Sequence, residues 1–143
     1  MSGERKWGYT TEQIDRAVEE VRAILVRVAK DRGRDGITYT ELTEEMKTIS
    51  VDPHSTLLNE ILGRVSEEGH LNRDGMLSVL VHYKDPGSGL WPGPGFFNLA
   101  TKHLGYDLPD ELAREAFWLQ KREEVLERWR GRGRRRRRRT ERP

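Results

Sequence analysis

The residues of this 143-residue chain with the most distinctive chemistry lie at its carboxyl end, in "RGRGRRRRRRTERP" at positions 130–143. The guanidinium groups of Arg132, Arg134, Arg135, Arg136, Arg137, Arg138, Arg139 and Arg142 stay charged at any physiological pH and present forks that match phosphate oxygens. What they can do is hold phosphates without sequence preference. If about seven of them met phosphates on a duplex, log K against log salt would fall with a slope of about −6.

Candidates for catalysis are sparse by comparison. His54, His70, His82 and His103 stand singly, without the spacing of helical metal ligands. "GHLNRDG" offers a lone His70 and Asn72, too little for a His-Asn nuclease site. The chain has no cysteine, which excludes thiol nucleophiles, thiolate metal sites and disulfides together. "GSGLWPGPG" has prolines where the helix of a phosphate-binding glycine loop would have to begin. The expectation is a protein that is not an enzyme and needs no cofactor and no metal.

The formal net charge of +2 conceals a division. Positions 132–143 carry eight arginines and one acid, a balance of +7, which leaves 18 of the 26 basic and 23 of the 24 acidic groups, or −5, in residues 1–131. Such a split points to a basic arm for nucleic acid on a mildly acidic body. An arginine-rich end with no selected role is the alternative explanation. Like-charge repulsion and the lack of apolar residues predict that this tail is disordered when free. No stretch approaches the roughly 20 apolar residues of a membrane span, and "MSGERKWGYTTEQ" lacks the apolar centre of a secretory signal, so a cytoplasmic protein with no membrane partner is expected.

Several amphipathic elements must position these groups. Ile14, Val18, Val21, Leu25 and Val28 draw one stripe at helical spacing, predicting a helix from about Thr11 to Asp31, with Thr10 and Gln13 as a capping box and Gly33 as a left-handed stop. "GITYTELTEEMKTI" reads as a short strand at Ile37–Tyr39 feeding a second helix capped by Thr40, with Leu42, Met46 and Ile49 on its buried side. A third helix is predicted from Asp52 as cap and Pro53 as first residue to Gly69, burying Leu57, Leu58, Ile61, Leu62 and Val65 and leaving Ser55, Thr56, Asn59, Arg64 and Ser66 on the other side. "MLSVLVHY" alternates Leu77, Val79, Val81 and Tyr83 as a strand would, with His82 on the opposite, surface face. The Gly- and Pro-rich "KDPGSGLWPGPGFF" must be a loop or wing. Phe96, Phe97, Leu99, Ala100 and Leu104 then resume a helix ending at Gly105, and the loop aromatics are expected to fold back over the core, with Trp91 the exception. A last amphipathic helix starts at Pro109 with Leu112, Ala116, Leu119, Leu126 and Trp129 along one side and Phe117 and Val125 nearby. Phe117 and Trp118, being adjacent, cannot share a face, which suggests an interface and a homodimer there.

The order helix, strand, helix, helix, strand and Gly-rich loop, carried by "GITYTELTEEM", "STLLNEILGRVSEEGHL" and "MLSVLVHYKDPGSGLWPGPGFF", resembles the winged-helix variant of the helix-turn-helix over roughly residues 11–100. The segment "LSVLV…KDPGSGL…PGPGFF…A…LG" also resembles one in small, uncharacterised bacterial proteins, a likeness that carries no activity with it. The implied fold is mainly α with a small β-hairpin or wing, plus a C-terminal amphipathic helix. The implied organisation is an N-terminal arm at 1–10, a winged-helix-like domain at 11–105, the amphipathic helix at 106–130 and the Arg-rich tail at 131–143. A winged helix reading duplex DNA would set Ser55, Thr56, Asn59 and Arg64 in the major groove, with Lys84, Ser88 and Trp91 of the wing on the backbone or minor groove. Against this, the helix pairs one Arg64 with Glu60, Glu67 and Glu68, a poor charge balance for phosphate. The winged-helix part of DNA alkyltransferases is similar too, but those proteins need an acceptor cysteine, and the comparable strand here carries Ser78.

Two functions follow. The first is a nucleic-acid-binding protein, with DNA the expected partner and RNA served by the same charge, in which the tail supplies affinity and the third helix any specificity. The second is a protein-interaction module whose last helix docks a partner or a second copy while the tail tethers the assembly to nucleic acid.

Overall fold

A computed structural model describes residues 5, 6, 8–53, 55–83 and 92–131, with only the backbone at 5, 6 and 94. The expected positions His54, Lys84, Ser88, Leu90 and Trp91 and the tail arginines Arg132, Arg134, Arg135, Arg136, Arg137, Arg138, Arg139 and Arg142 therefore lie outside the described residues. The chain runs β1 (Arg5–Lys6), β2 (Tyr9–Thr10), α1 (Thr11–Lys30), β3 (Ile37–Thr38), α2 (Tyr39–Glu45), α3 (Thr56–Asn72), a 3-10 turn at Leu77–Leu80, β4 (Val81–His82), α4 (Pro94–Asn98) continued by a π turn at Leu99–His103, and α5 (Glu111–Arg130). The molecule is mainly helical with a small β-hairpin and a C-terminal helix, an architecture broadly consistent with a winged-helix-like domain.

The predicted capping box opens α1: Thr10 Oγ1 accepts from Gln13 N at 3.1 Å and Gln13 Oε1 from Thr10 N at 2.8 Å. The whole apolar stripe of α1 is buried, and α3, the Leu77–Leu80 turn and α5 all pack on it. Leu25, Leu58, Ile61, Leu77 and Leu80 are among the fully buried side chains, each contributing about 1.5–3 kcal/mol by leaving water. Phe96 and Phe97 close the core from α4, as expected of the loop aromatics. The β1–β2 hairpin is antiparallel, whereas β3 and β4 form a parallel pair with Ile37 opposite Val81 and Thr38 opposite His82. No helix among the described residues is long and apolar enough to cross a membrane.

Several boundaries differ from the sequence expectation. α1 stops at an extended Asp31, whose Oδ1 accepts from Gly33 N at 2.9 Å; this side-chain turn does the work expected of a left-handed Gly33. Thr38, rather than Thr40, caps α2, because Glu41 sits three residues on and reciprocates the hydrogen bond, Oε1 accepting from Thr38 N at 2.9 Å. α3 is capped by Ser55 and not Asp52: Ser55 Oγ accepts from Leu58 N at 3.1 Å, while Asp52 and Pro53 belong to a preceding turn. α3 also runs past Gly69 to a left-handed Arg73, and Gly69 instead gives its carbonyl to Gly75 N at 3.1 Å. Ser66, assigned to the polar side of α3, is fully buried and pairs with Ser78.

The expected strand at Met76–Tyr83 forms only at Val81–His82. Leu77, Ser78, Val79 and Leu80 are all buried, so alternation has no solvent face to serve, and the chain coils into a 3-10 turn against α1 and α3. His82 is half-buried and its Nδ1 donates to Tyr83 O at 2.8 Å.

α5 is capped by Asp110, Oδ1 accepting from Ala113 N at 2.8 Å, with Pro109 outside it. Its inward face is the expected one only in part: Leu126 and Trp129 pack against the core, but the buried residues are Phe117, Lys121 and Val125, whereas Leu112 is 75% and Leu119 53% exposed. The stripe of leucines lost to a shorter stripe four residues apart because Phe117 is drawn into an aromatic group with Phe96 and Tyr106, at ring separations of 5.7 and 4.7 Å. Trp118, its neighbour, is half-buried.

Candidate nucleic-acid interface

The third helix was expected to present Ser55, Thr56, Asn59 and Arg64 together, and the folded chain treats the four differently. Ser55 Oγ is engaged in the cap. Thr56 and Asn59 are exposed in the first turn, with the Asn59 carboxamide against Gly95, where an added Cβ would sit 3.3 Å from Asn59 Oδ1. Arg64 lies two turns on, its Nη1 2.8 Å from Asp15 and its Nη2 3.6 Å from Glu68. The hydrogen bond to Asp15, opposed by burial and aided by both carboxylates, raises the guanidinium above its ordinary value. The one cation of α3's first three turns is thereby neutralised by local acids, and this helix offers a polar rather than a positive surface.

The region expected to form a wing is anchored by a residue the sequence did not single out. Tyr39, the first residue of α2, packs its ring against that of Tyr83, tilted by 48° at 5.6 Å, and accepts a 2.7 Å hydrogen bond from Gly93 N. One side chain thus holds both ends of the stretch that spans 84–91. A Cβ at Gly93 would come within 2.6 Å of the Tyr39 hydroxyl, so only glycine permits this approach. Burial pushes the Tyr39 phenol up, the Gly93 hydrogen bond opposes this, and Tyr83 adds to it. Beside the clasp a cavity of about 10 Å³, lined by Tyr39, Asn59, Ser78 and Phe96 among others, has room for no more than a water molecule.

Groups with reactive side chains are placed for structure. Ser78 N donates to Ser66 Oγ at 2.9 Å and the two buried hydroxyls are hydrogen-bonded to each other at 2.5 Å. Lys121 is buried beneath Tyr106 and Phe117, with Nζ 3.1 Å from the Tyr106 hydroxyl and 3.3 Å from Glu124. Its burial favours the neutral amine, but Tyr106 and Glu124 outweigh that and leave the ammonium above its ordinary value, the opposite of what an amine nucleophile needs. Among the described residues no three His, Cys, Asp or Glu side chains gather to hold a metal ion.

At the far end of α5, Arg130 is a clamp. Its Nε donates to Ala29 O at 2.8 Å and its Nη2 to Asp31 O at 2.8 Å and Arg34 O at 2.6 Å. Arg32 returns a 2.6 Å bond to Arg130 O, and Arg122 donates to Asp35 O at 2.6 Å. These guanidinium groups donate to carbonyls at the end of α1, in the turn that follows and at the end of α5, and Asp31 O accepts a second bond from Arg34 N at 3.0 Å. The first arginine of the terminal run is therefore part of the fold, and the sequence offered no sign of this beyond its place within the last helical turn. Compared with protein-family models, curated proteins and solved structures, the chain has no match.

Proposed function

We propose that this chain is a nucleic-acid-binding protein, with DNA as its first substrate, that uses its arginine tail for affinity and a winged-helix-like body to position it, and that its role is binding rather than catalysis. The observation that carries the reading is the charge division: +7 in residues 132–143 against −5 in residues 1–131. The element order and the contacts of Tyr39 with Tyr83 and Gly93 support the winged-helix part, in which Thr56 and Asn59 of α3, together with Lys84 and Trp91, are the specificity candidates. With Arg64 in ion pairs, affinity rests on the tail.

The test is fluorescence anisotropy on duplex and single-stranded DNA across salt, comparing wild type with a full-length variant in which Arg134 through Arg139 are glutamine. Wild type is expected to show a slope of about −6 or steeper, flattening by about 5 in the variant, which lacks six of the tail's arginines. Salt-independent binding, or no change on neutralising the tail, refutes the reading. A second reading, a protein-interaction module tethered by the tail, draws on the exposed Leu112 and Leu119 of α5. It predicts that Leu112→Glu with Leu119→Glu abolishes capture of a protein partner, or dissociates a homodimer in sedimentation, without altering DNA binding.

A further inference from the structure

Tertiary structure assembles a second basic feature from segments about a hundred residues apart. Around the indole of Trp129 stand Arg128 Cζ at 4.3 Å, Lys30 Nζ at 5.5 Å and Arg22 Cζ at 6.0 Å from the ring centre. Arg32 adjoins them through its bond to Arg130 O. Lys30, Arg32 and Arg128 are exposed, and among the described residues no carboxylate lies within ion-pair distance of them. Of the acids nearby, Asp74 is buried against Arg22 at 2.8 Å, and Asp31 Oδ1 accepts from Gly33 N at 2.9 Å. The carboxyl end of a helix repels anions, and Arg130 offsets this at α1 by donating to Ala29 O and to the cap carbonyl of Asp31. Trp129 itself donates Nε1–H to Asp74 O at 3.0 Å, which fixes the ring as a platform for the cations. The tail leaves the body from Gly131, directly after this cluster.

We propose that Lys30, Arg32 and Arg128 form the phosphate-binding surface of the body, beside Gly131 after which the arginine run follows in sequence, and that the sugar-phosphate backbone of a nucleic acid runs across this α1/α5 end rather than along α3. The inference rests on the nucleic-acid-binding reading above. It explains how an acidic body receives a polyanion: the duplex meets the end where Lys30, Arg32 and Arg128 are gathered around Trp129, whereas Arg64 and Arg27 elsewhere pair with Asp15, Glu68 and Glu45.

The experiment measures anisotropy of a fluorescein-labelled duplex between about 50 and 200 mM salt with full-length protein. Four proteins are compared: wild type; Lys30→Gln, Arg32→Gln, Arg128→Gln; a charge-matched control, Arg16→Gln, Lys47→Gln, Lys102→Gln; and the charge-retaining Lys30→Arg, Arg32→Lys, Arg128→Lys. Loss of three phosphate contacts flattens the slope by about 2.5, the charge-retaining variant restores it, and the control stays within about 0.5 of wild type. Equal slopes for the two neutralised variants, or a wild-type slope in the first of them, overturn this surface while leaving tail-driven binding intact. Absence of any salt-dependent binding by wild type overturns the surface and the proposed function together. A melting curve of each variant checks that the fold is retained at the assay temperature; a small decrease is expected where Arg32 loses its bond to Arg130 O, and the slope is read only from variants that remain folded.

Discussion

Rotating α5 about its axis exchanges which side chains it buries, and two alanine substitutions distinguish the possible settings. Phe117 is 5% exposed and touches Phe96 and Tyr106 at ring distances of 5.7 and 4.7 Å, whereas Leu119 is 53% exposed. Phe117→Ala removes a buried aromatic and leaves a cavity beside Phe96 and Tyr106, a loss of about 3–5 kcal/mol. Leu119→Ala removes a side chain already half in water and should change stability by no more than about 0.5 kcal/mol. With a urea m-value of roughly 2 kcal/mol/M, the first substitution lowers the midpoint by about 1.5–2.5 M and the second moves it by about 0.25 M or less. The assay is equilibrium urea denaturation followed by tryptophan fluorescence, with far-UV circular dichroism as a second probe to check that the transition is two-state. Equal shifts, or a larger one for Leu119, would mean that α5 docks through its leucine stripe and that the Phe117, Lys121, Val125 face is wrongly assigned.

Other consequences are equally specific. Arg130→Ala should uncap α1 at a cost of about 2 kcal/mol, lowering the melting temperature by roughly 5–10 °C, and Arg130→Lys should not restore it because one ammonium cannot span three carbonyls. Tyr39→Phe leaves Gly93 N without its acceptor and should cost about 1–3 kcal/mol. Because the Tyr39 phenol is raised from 10.0, the folded state keeps a proton that the unfolded chain has lost; its contribution is complete below pH 10.0 and declines as pH rises through the folded value, so the variant should show a shallower alkaline loss of stability. Glu41 is shifted the other way, lowered from 4.5 chiefly by the Thr38 N–H, so its contribution is present above pH 4.5 and disappears as pH falls; Glu41→Gln should flatten the acid limb of a stability profile.

The sequence by itself determined what depends on local pattern. The period of Ile14, Val18, Val21, Leu25 and Val28 could be read directly because α1 is amphipathic and central, and Thr10 with Gln13 marked its start, since a capping box needs only residues three apart. The mainly helical class, the folding back of Phe96 and Phe97, and the separation of a +7 tail from a −5 remainder were legible for the same reason. Tertiary structure decided everything that needed a partner to choose between local options. Met76–Tyr83 alternates like a strand, yet burial on all sides made alternation irrelevant and the chain coiled. α5 carries two candidate stripes, and the aromatic group at Phe96 and Tyr106 selected the one with fewer leucines. Arg64 and Arg130 look alike as letters, but one meets Asp15 across 49 positions and the other meets the carbonyls of α1 across about a hundred. A guanidinium's role is set by which acceptors lie within reach of its fork, and for these two residues those acceptors come from parts of the chain that only folding brings together.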